Sequence, residues 1–107
     1  MERTQYIHPD FPQLPNSIIP TKVVFDPGLT WREKALFGII NYWTLQNQHK
    51  PYVIATNRYL AKLINTRKDT LSTMLSKLQK KKYIFLEYET QPDEKQVRKI
   101  YTRRTGG

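Results

Sequence analysis

Arg67, Lys68, Thr70, Ser72, Thr73 and Ser76 stand within ten residues of one another, and Leu71, Met74, Leu75 and Leu78 fall between and after them at i, i+3, i+4 and i+7. On a helix this spacing sends the four apolar side chains to one face and the long or hydroxyl-bearing ones to the other. The polar set has a specific chemistry. Arginine and lysine donate to guanine O6 and N7, serine and threonine hydroxyls bond phosphates or base edges, and the first turn of a helix offers free N–H groups to an anion. Asp69 is the one carboxylate in the set, and its position fits a helix cap, although it could also accept from a cytosine amine. Lys77, Lys80, Lys81 and Lys82 make the end of the same run basic. Lysines suit a helix C-terminus because of the dipole, but three in a row exceed that need and point to phosphate contacts.

The elements that would hold this face are legible around it. Thr66 followed by Asp69 is a capping pattern that starts the basic helix at Arg67, after a polar break at Asn65-Thr66. Before the break, Asn57 to Ile64 is a short amphipathic run with Thr56 as its cap and Tyr59, Leu60, Leu63 and Ile64 on the buried side. After the basic helix come two β-rich segments, Tyr83 to Thr90 and Val97 to Arg104, around the turn-forming Gln91-Pro-Asp-Glu-Lys95. Ile84, Leu86 and Tyr88 alternate with Phe85, Glu87 and Glu89, so each strand offers one face to a core. Lys95 and Arg98 are the expected phosphate contacts of this hairpin, because Asp93 and Glu94 at its tip repel phosphate. An earlier helix opens at Thr30, paired with Glu33 in a capping box, and Trp31, Ala35, Leu36, Ile39, Ile40, Trp43 and Thr44 recur along it at helical spacing. Gln46 to Pro51 ends it. Trp43 and Tyr42 read as core and rim aromatics rather than a nucleotide-stacking platform. Tyr52-Val-Ile54 is β-prone and could pair with the hairpin.

Helix, tight turn, helix and hairpin is the order of a winged helix-turn-helix, an α+β fold of three helices and a small antiparallel β-hairpin wing. Residues 29–104 are assigned to it, residues 105–107 to a tail. Residues 1–28 hold five of the seven prolines, Pro9, Pro12, Pro15, Pro20 and Pro27, which exclude a long helix and favour extended chain. Large apolar side chains interleave with them, so this proline-rich N-terminal arm is expected to pack on the domain or on a second copy of it.

Charge and composition bound the partner. The chain of 107 residues carries +9, from 18 Lys/Arg against 9 Asp/Glu. Residues 1–55 hold five basic and four acidic side chains, and residues 56–107 hold thirteen and five. The excess therefore sits with the helix-turn-helix pattern, as the electrostatic footprint for a polyanion would. Absence of cysteine excludes disulfides and thiolate metal sites. His8 and His49 are the only histidines and neither lies in a metal-ligating or catalytic spacing. The glycines, Gly28, Gly38, Gly106 and Gly107, form no phosphate loop, so neither enzymatic activity nor a cofactor is expected. No apolar run approaches the roughly 18 residues that span a bilayer, and no signal pattern opens the chain, so a soluble cytoplasmic protein is expected.

Leu60-Ala61, Ile64-Asn-Thr-Arg-Lys-Asp-Thr-Leu-Ser72, Leu75-Ser-Lys-Leu78 and Lys80-Lys-Lys-Tyr-Ile84 together resemble the pattern of bacterial winged-helix proteins. With Leu29 to Ile40 and the aromatic Asn41-Tyr-Trp43 added, the chain is most similar to the N-terminal DNA-binding domain of phage and plasmid replication initiators and replisome organisers. Regulators of the multiple-antibiotic-resistance type share the same core pattern. The resemblance implies sequence-specific binding of double-stranded DNA at a replication origin, with a transcriptional regulator or a protein-interaction winged helix as alternatives. It places Arg67, Lys68, Thr70, Ser72 and Thr73 at DNA-reading positions and implies replication proteins as partners; a homodimer is expected separately, from the apolar arm and from the need for two copies to cover two half-sites. Two positions depart from the pattern: Asn65 and Lys82 stand where relatives commonly carry glycine. The ending Arg103-Arg-Thr-Gly-Gly107 suggests a domain of something longer.

Overall fold

The computed structural model describes residues 16–47 and 50–103. It is an α+β structure in which four helices, α1 (Thr21–Val24), α2 (Trp31–Gln46), α3 (Asn57–Leu63) and α4 (Lys68–Lys80), precede a two-stranded antiparallel hairpin, β1 (Phe85–Thr90) and β2 (Gln96–Tyr101). One helix more is present than the sequence suggested, the four-residue α1.

The capping box forms as expected. Thr30 Oγ1 accepts from the Glu33 N–H at 3.1 Å, and Glu33 Oε1 accepts from the Thr30 N–H at 2.8 Å. Such a cap is worth about 1 kcal/mol. Trp31 departs from its place in the apolar pattern, for it is 66% exposed. At the first helical position it has no turn behind it to pack against, and its ring instead covers Lys34 Nζ at 4.3 Å. Lys34, itself buried, donates to the Val24 carbonyl.

Between α3 and α4 the chain turns through a Schellman motif. Thr66 N–H donates to the Ala61 carbonyl at 2.9 Å and Asn65 N–H to the Lys62 carbonyl at 3.3 Å, with Asn65 at φ 55°. Asparagine tolerates this left-handed position, so the departure from glycine leaves the turn intact. The motif also corrects the expected start of α4. Thr66 closes α3 and does not cap α4; Arg67 is the cap residue, with no side-chain cap bond, and the helix begins at Lys68. The Asp69 carboxylate accepts from the Thr70 N–H at 3.0 Å and meets Arg67 at 3.5 Å.

The same motif ends α4. Tyr83 N–H donates to the Leu78 carbonyl and Lys82 N–H to the Gln79 carbonyl, both at 2.9 Å, and Lys82 takes φ 67°. A lysine thus occupies the left-handed position that glycine would fill without steric cost.

Leu71, Met74, Leu75 and Leu78 of α4 are buried, as their period requires, against Leu60 and Ala61 of α3, Leu36, Phe37 and Ile40 of α2, and Val23, Leu29, Ile84 and Ile100. On α3 the buried set is Leu60, Ala61 and Leu63, whereas Tyr59 is 48% exposed and turns toward Trp43. The hairpin joins the core only at its base. Ile84 and Ile100 are fully buried and Leu86 partly, but Tyr88, expected on the core face, is 57% exposed because the hairpin projects past the helices there. The expected third strand is a single bridge, in which Val53 and Ile100 exchange two backbone bonds of 2.9 Å. Pro92, Asp93 and Glu94 form the hairpin loop, with Glu94 N–H bonded to the Gln91 carbonyl and Glu94 at φ 69°.

Residues 16–28 lie on α2. Ile18 N–H donates to the Gly38 carbonyl at 3.0 Å and Asn41 Nδ2 donates to the Ile18 carbonyl at 3.2 Å. A Cβ at position 38 would stand 2.6 Å from Ile19 Cγ1, so a glycine is what admits the strand-like segment this close to the helix. Val23 is fully buried. The expectations placed on residues 1–15, His49 and Arg104–Gly107 fall outside the described residues.

Candidate nucleic-acid interface

The core pattern of α4 determines what its other face presents. With Leu71, Met74, Leu75 and Leu78 inward, Lys68, Asp69, Thr70, Ser72, Thr73, Ser76 and Lys80 are all exposed along one side, and Arg67 stands at its start with its side chain 83% exposed. The Arg67–Asp69 ion pair is open to solvent on both sides, so it holds the arginine only weakly. Thr73 Oγ1 donates to the Asp69 carbonyl at 3.2 Å, which leaves its oxygen free to accept. The face combines one arginine, two lysines and four hydroxyls with one carboxylate. This inventory donates to base edges and phosphates and carries few groups that repel them.

The remaining candidates divide by what already holds them. Lys77 Nζ bonds Glu33 Oε1 at 3.0 Å, tying α4 to the start of α2. Lys81 Nζ meets Asp26 Oδ2 at 3.3 Å. Asp26 also accepts from the Tyr83 hydroxyl at 2.6 Å and from the Gly28 N–H at 2.8 Å. The Tyr83 hydroxyl, then the Gly28 N–H, hold the Asp26 carboxyl below its usual range, and the same bond raises the Tyr83 phenol. Lys80 carries no ion pair among the described residues and faces solvent, as does Lys95 beside the hairpin loop.

Arg98 is placed differently from its expected role. Its guanidinium donates from Nη1 to Asn57 Oδ1 and from Nη2 to the Ala55 carbonyl, both at 2.7 Å, and burial pulls its pKa down. It fastens the hairpin to the entry of α3. The outer face of the hairpin is also internally paired: Lys99 bonds Glu89 at 2.7 Å and the Tyr101 hydroxyl bonds Glu87 at 2.8 Å. Lys99 is raised in pKa by that bond to Glu89.

Two residues missing from the sequence-based set join the face. Arg58 and Lys62, with Asn65, Thr66 and Lys68, line an open notch of about 420 Å³ between α3 and the start of α4. Both are exposed and neither is ion-paired among the described residues. Their i, i+4 spacing opposite Leu60 and Leu63 is the sequence signal for this placement. Together they extend the basic surface from α4 across the turn. Among the described residues no helix is long and apolar enough to cross a membrane.

Comparison with protein-family models, with curated proteins and with solved structures finds no match to this chain.

Proposed function

We propose that the chain binds double-stranded DNA in a sequence-specific way as a winged helix-turn-helix, with α4 as the recognition helix and β1–β2 as the wing. The observation that carries the reading is the exposed face of α4, where Arg67, Lys68, Thr70, Ser72, Thr73 and Ser76 are free of the core that Leu71 to Leu78 build behind them. Arg58 and Lys62 supply backbone contacts beside it and Lys80 continues the charge. The tight turn at Asn65 supports the reading, since it sets α3 against α4 as a helix-turn-helix needs.

The process is origin binding in the replication of a bacterial plasmid or phage, on the strength of the sequence resemblance; transcriptional regulation is the alternative. Selection of bound sites from random DNA tests both levels. A recovered consensus supports specific binding, and repeats of it in an origin separate replication from a single promoter palindrome. Recovery of random sequence, or a binding constant that does not fall with salt, would remove the reading.

A homodimer fits this function, since two copies cover half-sites about one helical turn, roughly 34 Å, apart. The apolar Tyr6, Ile7, Phe11 and Leu14 are the residues that would join the copies. Deletion of residues 1–15 then leaves a folded monomer with weaker DNA binding, measured by sedimentation. An intact chain that sediments as a monomer at high concentration, with unchanged binding after deletion, removes the dimer.

A further inference from the structure

Beside the entry of α3, two open clefts of about 390 and 400 Å³ meet at Ile54 and Ala55, which line both. Trp43, Tyr52 and Tyr59 wall the first; Tyr88 and Arg98 wall the second. The rings of Trp43 and Tyr59 are nearly parallel, 22° apart with centroids at 6.2 Å. Trp43 is half-buried, Tyr59 is 48% exposed, Ile54 59% and Tyr88 57%. An aromatic ring that is stacked on one side and half open on the other is a platform on which a further flat ring can continue the stack.

We propose that this groove binds a single-stranded nucleic-acid segment, with bases stacked on Tyr59 and Tyr88, as a second site beside the duplex-reading face. It extends the DNA-binding reading but rests on separate residues. Charge complementarity selects the occupant. Among the described lining residues none is acidic, and Arg98, although its guanidinium bonds Asn57 and the Ala55 carbonyl, leaves the lining net positive. The two β1 glutamates, Glu87 and Glu89, alternate to the other face of the strand, where Tyr101 and Lys99 hold them. Stacking platforms with cationic borders are the means by which proteins hold unpaired strands without reading sequence. The groove and the duplex face share α3, so a strand leaving an opened duplex at α4 has a short path to it.

The test uses the full chain with Trp31→Phe, which leaves Trp43 as the sole indole. An oligothymidylate of about ten residues should quench Trp43 fluorescence, and an abasic oligomer of equal length should quench it far less. Tyr59→Ser and Tyr88→Ser should each weaken oligothymidylate binding about fivefold or more, the loss of roughly one stacked base. For Tyr59→Ser, which lies outside the recognition helix and the wing, duplex affinity should stay within about twofold. Photocrosslinking of the unsubstituted chain to a halogenated oligomer, mapped to residue, checks the site without any variant and should report Tyr59, Tyr88 or Trp43. Equal binding of the abasic oligomer, or crosslinks confined to α4, overturns the proposal. So does sedimentation showing that Tyr59→Ser or Tyr88→Ser splits a dimer, which would make the groove an interface between copies. Loss of duplex binding with oligothymidylate binding retained would fail the recognition-helix reading and leave this one standing.

Discussion

Arg67 stands at the entry of α4 with its side chain 83% exposed and an Asp69 carboxylate 3.5 Å away. Breaking so exposed a pair costs little, within about 1 kcal/mol, so the guanidinium is available to a guanine. Arg67→Ala and Thr73→Ala are expected to weaken specific binding and relax preference at one base pair, by about 1 to 3 kcal/mol for the arginine. Measurement on the selected site and on random duplex decides it, because equal loss on both would take these residues out of the reading role. Asp26 belongs to stability instead. Its carboxylate, held by the Tyr83 hydroxyl, the Gly28 N–H and Lys81, has a folded pKa below the unfolded value of about 3.9. A depressed carboxylate stabilises the fold above its unfolded pKa, and that contribution drains away as pH falls through the folded one. Melting temperature should therefore drop on acidification below about pH 4, and Asp26→Asn should have a lower melting temperature at neutral pH with a shallower acid decline. Parallel acid profiles for the two proteins would show that Asp26 is not the group involved.

The two turns that bracket α4 are unequally legible in the sequence, and the reason is physical. Asparagine at position 65 signals a left-handed residue by its type, and the structure puts it at φ 55°. Lysine carries no such signal, yet Lys82 takes φ 67° to complete the same motif, because Tyr83 must turn back to the Leu78 carbonyl before Ile84 can enter the core. Lys82→Gly should therefore stabilise the fold by about 0.5 to 1 kcal/mol, the steric relief of about 1 to 2 kcal/mol exceeding glycine's entropic cost of about 0.5 to 1 kcal/mol. Lys82→Ala, which removes the charge but keeps the β-carbon, should show no such gain in denaturant unfolding; equal behaviour of the two would assign the effect to charge. Periodicity made the buried face of α4 and the Thr30–Glu33 box legible, since both depend on residues within one or two turns. What stayed hidden depended on contacts far along the chain. Tyr88 follows the strand alternation but outruns the helices that would cover it, and Thr66 has the chemistry of a cap but is already spent on α3. The candidate site was legible at Arg67 to Ser76 for the same local reason, and illegible at Arg98, whose partners Asn57 and Ala55 lie some forty residues away.

Across the whole molecule, eight of the described cations between Arg58 and Lys99 fall into two groups that a count of charge cannot separate. Lys77, Lys81, Arg98 and Lys99 are committed to Glu33, Asp26, Asn57 and Glu89. Arg58, Lys62, Lys68 and Lys80 are exposed and without ion pairs among the described residues. Each phosphate neutralised on duplex DNA releases condensed counterions and steepens the fall of log K with log salt by about 0.9. The two groups should consequently respond in opposite ways. Alanine at Arg58, Lys62, Lys68 and Lys80 together should reduce the salt slope by about 3 to 4 and weaken specific and random duplex alike, with the unfolding curve little changed. Alanine at Lys77 and Lys81 should instead lower the melting temperature, because Glu33 and Asp26 lose partners while their side chains are only 10% and 12% exposed, and should leave the slope nearly as it was. An unchanged slope in the fourfold variant would assign the free cations to solubility and leave the polar face of α4 without the backbone contacts that a duplex-binding surface requires.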